Sequence, residues 1–535
     1  MKKLFLFLII VFSTLYVNAA PPLRGLVSMK LSNGTTIAPL AEAVSPFCGD
    51  TWCASQSLIG EGLYLQHSGS PRVLTILAAF QDLDFMVNSP VQAFDQYLNA
   101  DTLVDLGNKN NLNVASVRQY FKTCSYGQFL PQFDVVGPVV LPQKMSYYGG
   151  SNSKGSDEKF SEFCRDAMNQ AKELVPDWSQ YDNDGDNRIE LVCVIYAGYG
   201  QNQGGADSTL WAKASLQNVK LNNELNITRF NCSPELFYPK YPNYINGTGV
   251  FIHEFSHCMG LPDLYATTSK AYVNNQGMET FSIMDYGLYN YNGFAPCPYT
   301  AWEQEVMGWT EIEEVKSDEL KSEKYIADLL PLMEGGKAYK LVNADNDREF
   351  IVIENIQKRG LNYKAFGHGL LAYHVDYPYS RVNMTDSPNN NPGHPSVAVV
   401  PAGGMLVSNY LRGDNGQYSS KEWQESLASS PFPGSQGVTS LTDQMQLPNY
   451  CFWNGSTAKA TSFMLSNITE DAESGAVSFT LAADDPVGIS LTTCPSPKGE
   501  GSLYDLQGRK LSSEPSTLSL HKGLYIVNGR KVVVK

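Results

Sequence analysis

The 535-residue sequence has little positive charge, with 39 Lys and Arg residues against 54 Asp and Glu and a net charge of −15. Because no basic stripe is present to release counterions, the composition argues against nucleic acid or anionic membranes as partners. The sequence also lacks internal repeats, long charge runs and a CxxC pair. Beyond the N-terminus no apolar run approaches the roughly 20 residues of a spanning helix, so we expect no transmembrane segment. The apolar content of 43% is that of a folded chain of two or three domains.

The first residues resemble an export signal. Lys2 and Lys3 precede the apolar run 4–15, and small residues follow at Ala19 and Ala20. The run is too short for a membrane anchor and has the pattern of a secretory signal peptide. We therefore expect a signal peptide at 1–19 and secretion.

Ten cysteines follow this segment, and secretion permits disulfides among them. They are Cys48, Cys53, Cys124, Cys164, Cys193, Cys232, Cys258, Cys297, Cys451 and Cys494. Their spacing does not give the connectivity. Cys48 and Cys53 are near enough to close a small loop, whereas Cys193 and Cys258 lie in apolar surroundings and are compatible with buried thiols.

The fold class we predict is α+β, because helix-like and strand-like periodicities mix before Trp309 and short alternating strands dominate after it. Strands are expected at 73–80 and 190–196, and an amphipathic helix at 159–174. We expect the region after Trp309 to form a β-sandwich-like domain. The expected division is a signal peptide at 1–19, a candidate pro-segment at 20–65, a catalytic domain at 66–312, a β-rich domain at 313–482, a linker at 483–501 and a C-terminal β segment at 502–535.

The chemistry is concentrated in His253-Glu254-Phe255-Ser256-His257. On a helix, His253 and His257 project from one face, one turn apart, and both imidazoles reach one tetrahedral zinc ion. Glu254 is then placed to take a proton from water and deliver it to a leaving amine. A bare match of this kind also arises by chance, so the flanking residues matter.

Gly260 follows three residues after His257 and can end the helix in a left-handed conformation. Pro262 prevents the helix from resuming, and Asp263 then brings a carboxylate back as the candidate third zinc ligand. The alternative for Asp263 is a turn carboxylate, and a carboxylate from elsewhere, such as Glu303, is the competing ligand.

Downstream, residues 282–287 resemble the methionine turn of metzincin peptidases. That resemblance implies that Met284 forms an apolar floor under the ligands, although an ordinary core methionine is the alternative. It also implies that Tyr286 approaches the zinc or the tetrahedral intermediate.

Taken together, the sequence resembles the immune inhibitor A-like family of secreted bacterial zinc metallopeptidases. The stretches that carry the resemblance are 117–121, 125–129, 133–138, 180–186, 196–200, 253–265, 367–377 and 431–434. The resemblance implies a zincin-like, metzincin-like catalytic domain followed by β-rich domains. It also implies a zinc endopeptidase made as a zymogen, with His253, His257 and Asp263 as ligands and Glu254 as general base.

A second candidate metal site lies at Asp182, Asp184 and Asp186, which are spaced like the start of a calcium loop. The pattern departs from an EF-hand because Cys193 stands where a bidentate Glu is usual, and Glu190 is the candidate substitute. A turn rich in Asp, Asn and Gly before a strand is the alternative.

Three stretches outside the catalytic region complete the interpretation. His368, His374 and His394 suit no single metal and are interpreted as structural. Residues 46–50 loosely resemble latency switches, although a Cys48–Cys53 disulfide is the simpler account. The tail, residues 502–535, resembles a short sorting domain of type IX secretion. That resemblance implies a bacterial protein, secreted or held at the cell surface, with the outer-membrane secretion machinery as a partner.

The function predicted from these features is a secreted zinc-dependent endopeptidase that acts on protein or peptide substrates. A catalytically silent adhesin or binding protein on the same fold is the alternative, and the intact Glu254 argues against it. A metal-dependent glycosidase or esterase is a third class.

Overall fold

The computed structural model describes most of the chain. The described residues are 17–23, 57–59, 63–101, 103, 112–150, 157–222, 225–412 and 417–484, with the backbone of four strands after residue 502. The helices are α1 (Pro90–Asn99), α2 (Val117–Cys124), α3 (Met145–Tyr148), α4 (Phe160–Ala171), α5 (Thr248–Cys258), α6 (Ala301–Val306) and α7 (Ser420–Ala428). Among the described residues, no helix combines the length and hydropathy needed to cross a bilayer.

The largest sheet has eight strands. They are β1 (Val17–Ala19), β2 (Arg72–Ala79), β3 (Gln132–Val140), β4 (Arg188–Ile189), β5 (Val192–Tyr199), β6 (Lys213–Lys220), β7 (Asn226–Tyr238) and β8 (Tyr241–Ile245). Their order is β1-β6-β7-β5-β2-β3, and β4 and β8 also pair with β7. β3, β2, β5 and β7 are parallel, whereas β6 is antiparallel to β7 and β1 is antiparallel to β6.

Helices cover both faces of this sheet because successive residues of its central strands are buried and mostly apolar, and successive residues point to opposite faces. In β2, Val73 and Leu77 join the apolar cluster that contains residues of α1, α2 and α5. Leu74 and Ile76 point to the other face, where they join the cluster that contains residues of α4. The sheet therefore holds α5, with the His-Glu-x-x-His motif, against one of its faces.

The remainder of the chain is β-rich. Its strands are β9 (Glu313–Lys316), β10 (Lys324–Leu329), β11 (Ala338–Asn343), β12 (Asn346–Ile356), β13 (Gly369–Asp376), β14 (Val397–Val399), β15 (Phe452–Asn454), β16 (Thr457–Lys459), β17 (Phe463–Glu470) and β18 (Val477–Ala483). Five strands form a sheet in the order β14-β13-β12-β11-β9, three form a sheet in the order β10-β18-β17, and β15 pairs with β16.

The five-stranded sheet is buried on both faces. Ile351 and Ile353 of β12 share one apolar cluster with residues of β10, β17 and β18. Phe350 and Val352, which alternate with them, belong to the cluster that surrounds α5. This sheet is therefore also a wall of the core that surrounds α5, and the backbone amide of Ala301 in α6 donates to the carboxylate of Glu354 in β12.

The α+β class predicted from the sequence is confirmed. The strands expected at 73–80 and 190–196 correspond to β2 and β5, and the helix expected at 159–174 corresponds to α4 and the 3-10 turn after it. The later region, where strands were expected to dominate, also contains one described helix, α7, whose capping box between Ser419 and Glu422 is a sequence signal for a helix start. The described residues of the C-terminal tail form the strands β19 (Leu503–Tyr504), β20 (Lys510–Ser512), β21 (Gly523–Val527) and β22 (Arg530–Val534).

Candidate metal centre and active site

The motif helix α5 is buried along its whole length, and its N-terminal turn approaches neighbouring backbone closely. A Cβ on Gly249 would lie 2.0 Å from the carbonyl oxygen of Leu288, so only glycine fits there. The helix carries His253, Glu254 and His257, all with fully buried side chains. Since burial removes water from these groups, their orientation depends on their hydrogen bonds.

Each histidine of the motif is held by a backbone carbonyl through Nδ1. Nδ1 of His253 donates to the Ile283 oxygen at 2.8 Å, and Nδ1 of His257 donates to the Leu261 oxygen at 2.7 Å. These bonds fix the tautomers, so each Nε2 keeps its lone pair, as a metal ligand requires. The two Nε2 atoms lie 3.2 Å apart, which confirms that the spacing brings both imidazoles to one point.

Asp263 completes this group. The helix ends after Cys258, and Gly260 has a φ of +107°, the left-handed conformation expected for it. The chain then returns so that Oδ1 of Asp263 lies 3.4 Å from Nε2 of His253 and 3.1 Å from Nε2 of His257. No described residue satisfies this buried oxygen with a hydrogen bond.

The donor set fits zinc. Ligands at about 2.0–2.1 Å from a tetrahedral zinc ion stand about 3.3 Å from each other, close to the separations found here. Burial raises the pKa of Asp263, but the positive charge that the facing imidazoles carry when protonated, His257 first, outweighs burial and lowers that pKa to about 2. The carboxylate is therefore ionised at neutral pH, which is the form that binds a cation.

Glu254 lies beside this group with its carboxylate held by backbone amides. The amide of Ala214, in β6, donates to Oε2 at 2.6 Å, and the amide of Ala20 donates to Oε1 at 2.6 Å. Burial raises the pKa of Glu254 well above its ordinary value, and the charge of Asp263 adds to this effect. A carboxylate with a raised pKa is suited to accept a proton and to return it.

The predicted methionine turn lies directly behind the ligands. Ile283 supplies the carbonyl that holds His253, and the carbonyl of the fully buried Met284 accepts from the amide of Leu264 at 2.8 Å. The hydroxyl of Tyr286 points toward the N-terminal segment and donates to the Pro22 oxygen at 2.8 Å. The turn thus connects the ligand helix with the N-terminal segment, which also contacts Glu254 through the amide of Ala20.

Glu303, the competing ligand considered above, is engaged elsewhere. Its Oε1 accepts from the Ser282 hydroxyl at 2.5 Å, and its Oε2 accepts from the amide and hydroxyl of Thr300 at 2.7 and 2.9 Å. The bond from the Thr300 amide is part of the capping box that starts α6, whereas the bond from Ser282 connects Oε1 to the turn that contains Met284. Both oxygens of Glu303 are therefore engaged by Ser282 and Thr300, whereas the Asp263 carboxylate faces the two imidazoles.

The four carboxylates of the predicted calcium loop also come together. Ligand atoms of Asp182, Asp184, Asp186 and Glu190 lie within 4.8 Å of one another. Glu190 is 5% exposed, and its Oε1 has no hydrogen-bond partner among the described residues. Arg188 already pairs with Asp186, so a cation in this loop would share the Asp186 carboxylate with the Arg188 guanidinium.

Histidines outside the motif bind separate carboxylates. His368 pairs with Glu470, His374 with Glu349 and His394 with Asp376, so these three do not form one site. Cys193 and Cys258 are buried free thiols, as expected. The latency-like stretch 46–50, the pair Cys48 and Cys53, and most of the signal peptide lie outside the described residues.

Several groups around the site have no motif that identifies them. They are the amide of Ala214, the indole of Trp211, the carbonyl of Asn202 and the hydroxyl of Tyr289, and they contact Glu254 or the N-terminal segment. Two of these contacts come from backbone atoms, whose positions depend on strand pairing and leave no residue-type signal. Trp211 follows the Gly-rich loop 198–205, but that loop by itself does not place the indole.

A His-Glu-x-x-His helix packed on a mixed sheet, with a third carboxylate facing both imidazoles, defines a metallopeptidase-type catalytic domain. Residues 65–309 match the model of the immune inhibitor A peptidase M6 catalytic domain. This part of the chain is therefore similar to the catalytic domain of that family.

Curated relatives also match part of the chain. The chain is 23% identical over 239 residues to immune inhibitor A of Bacillus thuringiensis subsp. alesti, which covers 39% of this chain and 34% of the relative. It is 24% identical over 252 residues to the pre-pro-metalloprotease PrtV of Vibrio cholerae serotype O1 (strain M66-2), which covers 41% of this chain and 27% of the relative. The chain thus spans about a third or less of the length of these relatives.

Proposed function

We propose that this protein is a secreted zinc-dependent endopeptidase that hydrolyses peptide bonds of protein substrates. One observation carries the proposal. Two imidazole nitrogens and an unsatisfied carboxylate oxygen face each other at 3.1–3.4 Å in a buried position. The carboxylate of Glu254, the candidate general base, belongs to the same helix.

His253, His257 and Asp263 are the residues that would hold the metal. When bound, zinc supplies a Lewis acid that polarises a carbonyl oxygen and increases the acidity of water. The carbonyls of Ile283 and Leu261 keep both imidazoles in the tautomer that coordinates. The support for zinc is the chemistry and spacing of these donors.

Glu254 carries the proton in the proposed reaction. Its Oε1 accepts a proton from the attacking water as the new C–O bond forms, and it returns that proton to the amine nitrogen as the C–N bond breaks. The amide of Ala214 holds Oε2, so the carboxylate keeps one orientation through both transfers. The burial of Glu254 raises its pKa and so favours acceptance of the proton.

Tyr286 is proposed to donate a hydrogen bond to the substrate carbonyl oxygen as negative charge develops there. The support is that its hydroxyl already donates to a peptide carbonyl in front of Glu254. Met284 is proposed as the apolar floor of the ligand group, because it is fully buried in the turn that holds His253.

The experiment compares hydrolysis of casein by wild-type protein, Glu254→Gln and Glu173→Gln, each assayed with and without a chelator. Glu173 is exposed and far from the motif, so its variant controls for loss of a carboxylate. We expect Glu254→Gln to retain zinc and to lose about 10²- to 10⁴-fold in kcat. Equal cleavage by wild type and Glu254→Gln would contradict the mechanism. A zinc-loaded protein without its N-terminal segment that cleaves no protein would favour the silent binding protein.

A calcium ion is proposed at Asp182, Asp184, Asp186 and Glu190. The support is the buried Oε1 of Glu190, which has no hydrogen-bond donor among the described residues and faces the other carboxylates. Burial raises the pKa of Glu190 to about 7, and a divalent cation would favour its ionised form. The ion would stabilise the entry to β5, which adjoins β7 in the sheet.

The remaining parts of the proposal concern export and domain division. A signal peptide at 1–19, a pro-segment at 20–65 and a sorting-type tail at 502–535 would direct a bacterial zymogen through the outer-membrane secretion machinery. The catalytic domain is proposed to be zincin-like and metzincin-like over residues 66–312. A β-sandwich is proposed at 313–482, supported by the apolar cluster that its two larger sheets share, and a linker at 483–501.

A further inference from the structure

A short N-terminal segment lies across the candidate active site. Strand β1 pairs in antiparallel register with β6, so that Ala19 lies opposite Lys213. Among the described strands β1 alone flanks β6 on this side, so without β1 the strand β6 would be the edge of the described sheet. An edge strand of this kind is a template for an extended peptide, which adds to it through main-chain hydrogen bonds. After β1 the segment continues to Ala20, whose amide contacts the carboxylate of Glu254.

The next residues are bound through main-chain atoms. The amide of Ala20 donates to Glu254 Oε1 at 2.6 Å, and its carbonyl accepts from the Trp211 indole at 2.8 Å. Ala20 is 1% exposed, so its methyl group has no space for enlargement. These two contacts anchor the segment at the carboxylate proposed as general base.

Three further bonds continue along the segment. The Pro21 carbonyl accepts from the Tyr289 hydroxyl at 2.7 Å, and the Pro22 carbonyl accepts from the Tyr286 hydroxyl at 2.8 Å. The Leu23 amide then donates to the carbonyl of Asn202 at 2.8 Å. Because every contact uses an atom that all peptides possess, this cleft is built to hold an extended chain of varied sequence.

We propose that Ala20–Leu23 is an autoinhibitory segment, which occupies the peptide-binding cleft formed by β6, Asn202, Trp211, Tyr286 and Tyr289 and blocks Glu254. This inference rests on the proposed peptidase function. It assigns the cleft residues that bind peptide and identifies the part of the chain that must leave before a substrate enters.

The bound segment is held unproductively. Oε1 of Glu254 accepts an N–H from Ala20 at the position where a general base must accept a proton from water. Pro21 and Pro22 have no N–H, and their restricted backbone reduces the entropy lost when the segment binds. The segment therefore binds with an N–H of its own on Glu254, which cannot then accept a proton from water.

Removal of a signal peptide after Ala19 would strengthen this block. The nitrogen of Ala20 would then be an α-ammonium group beside the buried carboxylate of Glu254. A charge-assisted hydrogen bond is stronger than the neutral one. The carbonyl contacts of Pro21 and Pro22 do not depend on β1 and would remain.

The test uses the full chain, with Ala20→Asp as the displacing variant and Ala472→Asp as the matched control. The aspartate at position 20 does not fit the buried site and repels Glu254, whereas Ala472 is exposed in the turn between β17 and β18. Ala20→Leu serves as a second displacing variant without added charge. Thermal unfolding of each variant checks that it is folded.

Two readouts are compared. A fluorescent peptide with the sequence of residues 20–25 should bind Ala20→Asp and Ala20→Leu about tenfold more tightly than wild type or Ala472→Asp, which corresponds to about 1.4 kcal/mol. The initial rate of casein hydrolysis, measured before any N-terminal cleavage, should rise by a similar factor in the two displacing variants.

The outcomes separate the two proposals. Equal peptide binding and equal initial rates in all folded variants would overturn the autoinhibitory segment. Tighter peptide binding by both displacing variants, with no hydrolysis by any form of the protein, would support the segment as occupant of the cleft and contradict the peptidase function.

Discussion

Nδ1 of His253 donates a 2.8 Å hydrogen bond to the carbonyl oxygen of Ile283, a residue 30 positions later in the chain. This bond connects the motif helix to the turn that contains Met284 and Tyr286. It decides the tautomer of His253, because a ring nitrogen that donates here leaves Nε2 as the acceptor. The carbonyl oxygen of Ile283 thus keeps His253 in the tautomer that can bind a metal.

Asp263→Asn should weaken zinc binding. The variant keeps the shape of the side chain but removes the charge that faces the two imidazoles at 3.4 and 3.1 Å. Since loss of an outer-shell partner already costs 10–100-fold in metal affinity, loss of a ligand charge should cost about 100-fold. Zinc content after dialysis against graded chelator measures this effect.

Glu303→Gln is the control for that measurement, because Glu303 caps α6 and does not face the imidazoles. It should retain zinc at wild-type chelator concentrations, although its thermal stability should fall. Zinc loss in Glu303→Gln combined with retention in Asp263→Asn would show that the third ligand had been assigned to the wrong carboxylate.

Tyr286→Phe should lower kcat with little change in zinc content. The phenylalanine retains the ring and removes only the hydroxyl that donates to a peptide carbonyl in the cleft. Loss of one donor to a developing oxyanion typically costs about 10²- to 10³-fold in kcat, and we expect the lower part of that range. Steady-state peptide hydrolysis measures it, with Tyr289→Phe as the comparison.

Tyr289 contacts the preceding carbonyl of the bound segment and should act in binding. Its variant should therefore mainly raise KM. If Tyr286→Phe changed KM alone and left kcat intact, Tyr286 would be a peptide-binding residue with no part in the chemical step.

Calcium should stabilise the wild-type protein through Glu190. At about 100-fold excess over the dissociation constant, a bound ion adds about 2.7 kcal/mol to the free energy of unfolding. Glu190→Gln removes the buried charge, so its melting temperature should respond much less to calcium. The same thermal shift in wild type, Glu190→Gln and the exposed-site variant Glu173→Gln would place calcium elsewhere.

Stability should fall in mild acid because of His67. Its Nε2 donates to the Met259 carbonyl at 2.7 Å, and its Nδ1 accepts from the Ser57 hydroxyl at 2.7 Å, while burial lowers its pKa from 6.5 to about 4. The unfolded chain therefore takes up a proton before the folded chain does. Between pH 6.5 and pH 4 this difference should remove about 3 kcal/mol from the free energy of unfolding.

Urea unfolding at pH 7 and pH 5 tests this assignment in wild type and His67→Gln. The glutamine cannot titrate, so the variant should lose less stability between the two pH values, even if it is less stable at both. His368→Gln, at a half-exposed position, should keep the wild-type pH dependence. If His67→Gln kept the wild-type pH dependence of stability, His67 would not be the cause of the lower stability in mild acid.

The sequence by itself determined the features that are local. The spacing of His253 and His257 requires a shared helix face, and Gly260 permits the left-handed turn that ends the helix, as its φ of +107° confirms. The Asp182–Asp186 spacing likewise brings carboxylates together within one short loop. Such features follow from residue type and short separation, which local geometry converts directly into position.

Only the tertiary structure decided the features that join distant segments. It brought the Ser282 hydroxyl to Oε1 of Glu303, 21 residues later in the chain. It also placed the amide of Ala214 and the amide of Ala20, 234 residues before Glu254, on the two oxygens of one carboxylate. The two amide contacts use main-chain atoms, which every residue carries. Strand order and register therefore set these contacts, and no pattern of residue types predicts them.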